Sequence, residues 1–320
     1  MPQIDIRYFT VIAVAAVVTI GSVIGVNYFI DPYDRLGNNR IGHYLEDDRS
    51  AKVKQVQVYP HDSLLLGSSK VGFIDPAALG TSRRFYNAGF VGVMPEELLS
   101  FLRHYGAKEE LVVIGFDLYM FNLTFTAMLR EDRFADLTGE QGWAYLASVD
   151  TLSASLDTVW RRLSDEPPGL EFHGQRNPWR INRVDAPFTK PSHEKVLGNL
   201  RTQHYGNFVF AEERIAILRD IRALLVERKQ PHIVFLNPVH RSELALLREI
   251  SAGEGMKRLR QEVKQIFPLA IDLSDGNWSG DEAYFNSDPF HYRPETGTAF
   301  MRDLLKQCPV DGVSIGWRGC

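Results

Sequence analysis

Three polar residues in two distant segments have the types and spacing of a serine-based acyl-transfer site. A Gly67-Ser68-Ser69 turn follows an apolar run, and near the C-terminus Asp288 and His291 stand three residues apart, with a proline between them. A serine hydroxyl needs a base to act as a nucleophile, and that base needs a group that orients it. The pattern therefore predicts Ser69 as nucleophile, His291 as general base and Asp288 as the orienting carboxylate.

Structural roles would explain the same residues. Ser68 or Ser69 would serve as the cap of a following helix, a position that favours serine. Asp288 stands before a proline, which is typical of a turn, and His291 would then be an incidental surface histidine.

Short apolar runs rich in β-branched and aromatic residues predict the elements that position these side chains. Strands are expected at residues 62–66, 84–87, 111–115, 232–236 and 269–273, with helices at 95–105, 212–228, 241–250 and 255–266. Strands that alternate with helices indicate crossover connections and a parallel sheet. The prediction is a three-layer α/β/α domain, whose ligands bind at the carboxyl ends of the strands.

More than a hundred residues separate the third and fourth strands, which is too many for one crossover. An insert at about 120–210 is expected, with a helix at 142–163 and then an irregular stretch of the kind that forms lids, binding loops or disordered arms. Arg176 and Trp179 in this stretch would grip an anionic glycan and its sugar ring, or else belong to a solvated loop. His240 would contact substrate at the end of the fourth strand, or else form an ordinary turn.

Residues 9–30 carry no charge and predict a transmembrane helix of roughly 33 Å, enough to cross a ~30 Å hydrocarbon core. A cleaved signal peptide and a buried soluble helix are the alternatives, although the run is long for a signal and lacks a small-residue cleavage site. Arg7 favours a cytoplasmic head at 1–8. A membrane-proximal linker at 31–60 and a main domain at 61–320 would then lie outside the inner membrane.

The composition excludes several classes of protein. The 320 residues include 36 Lys and Arg against 40 Asp and Glu, and a net charge of −4 creates no field that attracts nucleic acid. Cys308 and Cys320 are too few for a disulfide framework or a zinc site; in an oxidising compartment they would pair or remain two thiols. Neither HExxH, a P-loop nor GxGxxG is present, so no metal or nucleotide cofactor is predicted.

The order of these blocks resembles the SGNH (GDSL-type) hydrolase superfamily. Gly67-Ser68-Ser69 is similar to its first motif, the NAGFVG block at 87–92 to its second, and Asp288 and His291 to its C-terminal D-x-x-H. The resemblance implies a flavodoxin-like sheet and a Ser69–His291–Asp288 triad. It also implies that the backbone N–H groups of Ser69 and Gly92 receive the oxyanion.

The third block departs from the family. Asp117 stands where the family has an asparagine that donates to the oxyanion, and an ionised carboxylate accepts hydrogen bonds and repels negative charge. Loss of such a donor typically costs on the order of 10²–10³ in rate. Asp117 must be protonated, turned away or used structurally, for example as a cap, or else the protein is a weak or inactive hydrolase.

A narrower resemblance is to membrane-anchored SGNH-like proteins of bacterial envelopes that work beside membrane-bound O-acyltransferases. It rests on NYFIDPY after the apolar run and on LLLGSSKVGFIDPAAL, YNAGFVGVMPEE, VVIGFDLYMF and FLNPVH. It implies transfer of an acyl group, mainly acetyl, to an envelope polysaccharide or glycan, with a membrane-bound O-acyltransferase as partner. An esterase for the same ester and a catalytically silent scaffold remain as alternatives.

Overall fold

The computed structural model describes residues 6–43, 48–125, 134, 142–178, 189–307 and 310–311. The predictions for Trp179, Cys308 and Cys320 fall outside these described residues.

Five parallel strands form the central sheet, as predicted. They are β1 (Ser63–Ser68), β2 (Phe85–Phe90), β3 (Leu111–Phe116), β4 (His232–Leu236) and β5 (Ile271–Asp272), in the order β2-β1-β3-β4-β5. β1 extends two residues beyond its predicted end because Gly67 and Ser68 still pair with β2. β5 is shorter than predicted, since Ala270 N donates to Phe267 O in a turn just before it.

The described part of the chain contains eleven α-helices. They are α1 (Ile6–Ile30), α2 (Asp48–Val58), α3 (Ser69–Gly72), α4 (Pro95–Tyr105), α5 (Gly142–Leu146), α6 (Val149–Leu163), α7 (Lys190–Asn199), α8 (Glu212–Glu227), α9 (Arg241–Glu249), α10 (Ala252–Ile266) and α11 (Pro294–Gln307). The helix expected at 142–163 is interrupted at Ser148, whose hydroxyl accepts from the N–H groups of Asp150 and Thr151 and so caps α6.

Alternate residues of the strands enter two separate clusters of buried side chains. Leu64 and Leu66 of β1 belong to one cluster, whereas Leu65 packs with Val71 and Phe300 in the other. Both faces of the sheet are therefore buried, which explains why its strands are continuous apolar runs. The strand order reverses direction between β1 and β3, and in such sheets the crevice at this reversal is where ligands bind.

The N-terminal helix is exposed. Arg7–Ile30 contains an 18-residue window with a mean hydropathy of 2.4 and is long and apolar enough to cross a membrane, as judged by length and composition. The range 31–60, expected as a linker, contains α2, whose buried face includes Ala51, Lys52 and Val53. α2 packs against β2 and so belongs to the structure around the sheet.

Candidate active site

The three residues predicted as a triad meet at the carboxyl end of β1. Ser69 Oγ lies 2.9 Å from His291 Nε2, and His291 Nδ1 lies 2.7 Å from Asp288 Oδ2. Since an ionised carboxylate only accepts, Nδ1 carries the proton and Nε2 accepts from the Ser69 hydroxyl. Hydroxyl, imidazole and carboxylate therefore form one continuous chain of hydrogen bonds, the arrangement that serine acyl transfer requires.

The turn from β1 into α3 holds the nucleophile. Gly67 has a φ of +156°, and a Cβ there would lie 2.6 Å from Val71 Cγ2 and 2.7 Å from Gly115 O, so this position requires glycine. Ser68 Oγ accepts from Lys70 N at 3.0 Å and caps α3. The capping role considered for either serine is thus taken by Ser68, and the Ser69 hydroxyl points to the base.

A hairpin missed by the sequence analysis positions the other two triad residues. β6 (Tyr284–Phe285) and β7 (Asp288–Tyr292) pair antiparallel, and β7 carries both Asp288 and His291. Asp288 Oδ1 accepts from the backbone N–H groups of Phe290 (2.9 Å) and His291 (3.3 Å). The edges of Phe73 and Phe290 pack against the imidazole of His291, with centroids 5.4 and 4.9 Å away, and they limit its rotation.

Gly92, the second predicted oxyanion donor, follows β2 at the same edge of the sheet as the turn that holds Ser69. β1 and β2 are in register at Ser68 and Phe90, so the two segments that follow leave the sheet side by side. Gly92 has a φ of +57°, in the left-handed region that favours glycine. Arg49 supports this loop, because its Nη2 donates to Val91 O at 3.0 Å while its Nε pairs with Glu97 at 2.8 Å.

Asp117, the residue that departs from the family, pairs with the residue after the nucleophile. Lys70 Nζ lies 3.2 Å from Asp117 Oδ1, and Asn237 Nδ2 donates to Asp117 Oδ2 at 3.0 Å. Asp117 precedes a 3₁₀ turn at Leu118–Phe121 but makes no side-chain capping bond to it. Its carboxylate is therefore compensated by a buried ammonium group.

A second carboxylate completes this buried cluster. Lys70 Nζ lies 3.8 Å from Glu243 Oε2, and the Tyr205 hydroxyl donates to Glu243 Oε1. Burial alone would lower the pKa of Lys70, but Glu243 and Asp117 raise it, so Lys70 stays an ammonium ion. Burial raises the pKa of Glu243, and the Lys70 charge and the Tyr205 hydroxyl oppose that shift. The Lys70 charge is also 4.3 Å from the ring centroid of Phe290, which packs on His291.

Two of the residues predicted to contact substrate, His240 and Arg176, lie near the triad. His240 lines a cleft of about 400 Å³ together with His193, Asn286 and Pro289, the last of which lies between Asp288 and His291 in the sequence. Arg176 is buried, with its guanidinium 5.4 Å from the ring centroid of Phe73. The ring of Phe73 contacts both the guanidinium of Arg176 and the imidazole of His291, so it links these two side chains.

Lys70, Glu243 and Arg49 are residues of the site that the sequence analysis missed. Lys70 had a recognisable pattern, since it is a lysine between the two serines and the apolar residues of α3. Glu243 and Arg49 had none, because each is one of several charged residues in its helix. Within the described residues, no three His, Cys, Asp or Glu side chains converge as a metal site requires.

The chain matches no model of a known protein family, and no curated protein is significantly similar to it.

Proposed function

We propose that this chain is an SGNH-type serine acyltransferase that transfers an acyl group, mainly acetyl, to a hydroxyl of an envelope glycan. The observation that carries the proposal is the hydrogen-bond chain from Ser69 through His291 to Asp288. Its location at the reversal of strand order, where open α/β sheets bind ligands, is the second support.

The proposed reaction has two half-reactions. His291 Nε2 takes the proton of Ser69 Oγ as this oxygen attacks the acyl carbon, and the N–H groups of Ser69 and Gly92 stabilise the oxyanion. The imidazolium then protonates the leaving group, and a seryl ester remains. In the second half, His291 removes the proton of a glycan hydroxyl as the glycan oxygen attacks the ester, and the imidazolium returns that proton to Ser69 Oγ as the serine leaves. Asp288 holds the imidazole and stabilises its cationic form throughout.

The pairing of Asp117 with Lys70 favours an enzyme over a silent scaffold. An uncompensated carboxylate beside the oxyanion would oppose catalysis, whereas a carboxylate paired at 3.2 Å with an ammonium group has little net field. Hydrolysis of the same ester, with water as acceptor, is the second candidate, because the triad is contained in a single chain.

In this proposal the fold is the three-layer α/β/α arrangement of the SGNH superfamily, a view supported by the two buried clusters that lie against the sheet. α1 would anchor the chain in the bacterial inner membrane with the domain outside the cytoplasm, beside a membrane-bound O-acyltransferase that supplies acyl groups. The exposed apolar surface of Arg7–Ile30 supports this location.

The nucleophile is tested with the full-length chain in detergent, a fluorophosphonate probe and a chromogenic acetyl ester. Wild type and Ser68→Ala should react with the probe, whereas Ser69→Ala should not, because only Ser69 contacts His291. Ser68→Ala is the matched control, since it removes a neighbouring hydroxyl that caps α3 and is not the one at His291 Nε2. Equal reaction of wild type and Ser69→Ala would contradict the proposal.

The acceptor is tested by adding an envelope glycan to the ester assay. Transfer predicts that acetyl groups appear on the glycan while release of free acetate falls. Acetate release that the glycan leaves unchanged would identify the esterase instead.

A further inference from the structure

The helical hairpin formed by α5 and α6 is fixed to the outer end of α1 by buried polar contacts. Asn27 is 0% exposed; its Nδ2 donates to Leu146 O (2.8 Å) and Ser148 O (3.0 Å), and its Oδ1 accepts from Ser155 Oγ (3.0 Å). The Tyr145 hydroxyl donates to Asp31 Oδ1 at 2.8 Å, one residue beyond α1. These contacts hold the hairpin in one orientation relative to the apolar helix.

One face of α6 consists of small residues that pack toward the anchor. Thr151, Ala154, Ser155 and Thr158 are the buried residues of this helix, and they share the face from which Ser155 reaches Asn27. Small and hydroxyl-bearing residues at such spacing allow two helices to approach closely, as they do in membranes.

The hairpin also presents large apolar side chains to the outside. The exposed residues are Trp143 (76%), Val149 (73%), Leu156 (60%), Trp160 (66%) and Leu163 (75%). The four that belong to α6 recur at i, i+7, i+11 and i+14 and so form one stripe along the helix. An exposed apolar stripe of this kind marks a surface that contacts a membrane or another protein.

The position of this stripe identifies the bilayer as its occupant. The hairpin is bound to the last turns of α1, whose preceding turns are apolar and exposed, so the stripe lies on an element attached directly to the end of that helix. Tyr28 and Phe29 at the end of α1 and Trp143 and Trp160 of the hairpin are exposed aromatic side chains. Tryptophan and tyrosine concentrate at the boundary between lipid and water.

We propose that the hairpin lies in the outer membrane–water interface, with its apolar stripe inserted among the lipids beside α1. Charged residues on the same helix, among them Asp157 and Arg161, pair with each other at 2.6 Å and would face the headgroups and water. The inference rests on the proposed membrane location of α1 and is independent of the triad chemistry.

A second membrane contact would fix the active site at a defined height above the bilayer. The chain that leaves α6 soon reaches the nucleophile turn, where Arg176 N donates to Gly72 O at 2.7 Å. His173 O accepts from Asn87 N at 2.9 Å on the edge of β2. The hairpin is thus joined to the active-site side of the sheet by a short, hydrogen-bonded segment.

Tryptophan quenching tests this contact in the full-length protein. The chain is reconstituted in phosphatidylcholine vesicles with or without acyl chains brominated at carbons 6 and 7, as wild type, as Trp143→Phe/Trp160→Phe, and as Trp278→Phe. The difference in emission between wild type and the double variant reports on the two hairpin rings, which are exposed, so that phenylalanine there leaves the core intact. Trp278→Phe is the matched control, since Trp278 packs on Phe300 inside the domain.

We expect the emission difference between wild type and the double variant to be at least about twofold smaller in brominated vesicles than in vesicles without bromine. Trp278→Phe should leave the fraction of tryptophan emission that is quenched unchanged. Equal difference emission in the two vesicles would overturn the proposal and leave the stripe to a protein partner. Val14→Trp in the double-variant background reports separately on α1. Quenching there without hairpin quenching would reject the hairpin contact alone, and quenching at neither place would reject the membrane location of α1 as well.

Discussion

Two histidine–aspartate pairs lie near the carboxyl ends of the strands. They differ in the group that contacts the imidazole nitrogen not bound by the aspartate. In His291 the carboxylate of Asp288 is at Nδ1 and the hydroxyl of Ser69 is at Nε2. In His240 the carboxylate of Asp281 is 2.9 Å from Nε2, and Nδ1 accepts the backbone N–H of Ser242 at 3.2 Å. The second pair includes a nearby serine, but its imidazole has no nitrogen left for a hydroxyl.

In the proposed mechanism, the order of contacts and not the set of residue types distinguishes the general base His291 from His240. Ser242 Oγ lies 3.3 Å from His193 instead, and the His240 ring serves as the cap of α9. Burial, with help from His193 and Arg241, lowers the pKa of His240 to about 4, so it is neutral at pH 7. His240 therefore supports the cleft beside the triad, and we expect it to position substrate without exchanging protons.

Matched removal of the two carboxylates would break this comparison most directly. Asp288→Asn should lower ester turnover and probe reaction by about 10⁴, because the imidazole loses its tautomer and the charge that stabilises its cation. Asp281→Asn should change either rate by less than about threefold, since the serine hydroxyl that reacts is not on His240. Similar losses in the two variants would show that the His240 pair belongs to the catalytic machinery.

Sequence alone predicted the strands and the contact between Asp288 and His291 from local patterns. Apolar runs such as 232–236 indicate the strands, and Asp288 and His291 stand only three residues apart, although the structure places them on the strand β7 and not on the expected turn. The contact of His291 with Ser69 spans 222 residues, so it was predicted from the order of the motifs and not from local spacing. The β6–β7 hairpin escaped prediction because β6 has only two residues and its pairing is irregular at Tyr284 and Phe285. A strand this short leaves too little alternation to recognise.

The buried charge cluster could not be predicted for a different reason. Lys70, Asp117 and Glu243 are polar residues that normally lie at the surface, and their burial depends on contacts of Lys70 across 47 and 173 residues of sequence. The sequence showed that Asp117 departs from the SGNH pattern, but only the structure shows that Lys70 pairs with it. The predicted alternatives for Asp117 included a structural use, and the ion pair with Lys70 is such a use.

The buried charge cluster and the exposed Arg241–Asp281 ion pair beside His240 should contribute differently to stability, and removing the cation from each compares them. Lys70→Met should lower the free energy of unfolding by about 3–5 kcal/mol, because it leaves the Asp117 carboxylate buried without its partner. Arg241→Met, the matched control, removes a largely exposed cation from Asp281 and should cost about 1 kcal/mol or less. Urea unfolding of the full-length protein in detergent measures both.

The double variant Lys70→Met/Asp117→Asn should recover most of that loss, since it removes the charges on both sides of the pair. If Lys70→Met is no less stable than Arg241→Met, the cluster does not hold the charges assigned to it.

A third histidine, His204, sharpens the comparison because it lies next to the triad and its ring packs among aromatic side chains. His204 stacks on Phe125 and contacts Phe290, and burial lowers its pKa to about 4 from an ordinary value of 6.5. As pH falls from 6.5 toward 4, the unfolded chain takes up a proton that the folded chain does not, so stability decreases with acidity by up to about 1.4 kcal/mol per pH unit. Above pH 6.5 both states are neutral at this residue, and its contribution is constant.

His204→Phe keeps the stacked ring and removes the titration, so the loss of unfolding free energy between pH 7 and pH 5 should shrink by about 1–2 kcal/mol. The pH profile of ester turnover should keep its shape, because the proton that moves in the reaction is held by His291 and not by its neighbour. A different outcome, in which His204→Phe shifts the pH profile of ester turnover but leaves acid stability unchanged, would contradict both expectations. It would show that His204 affects the pKa of His291 through Phe290 and does not cause the loss of stability in acid.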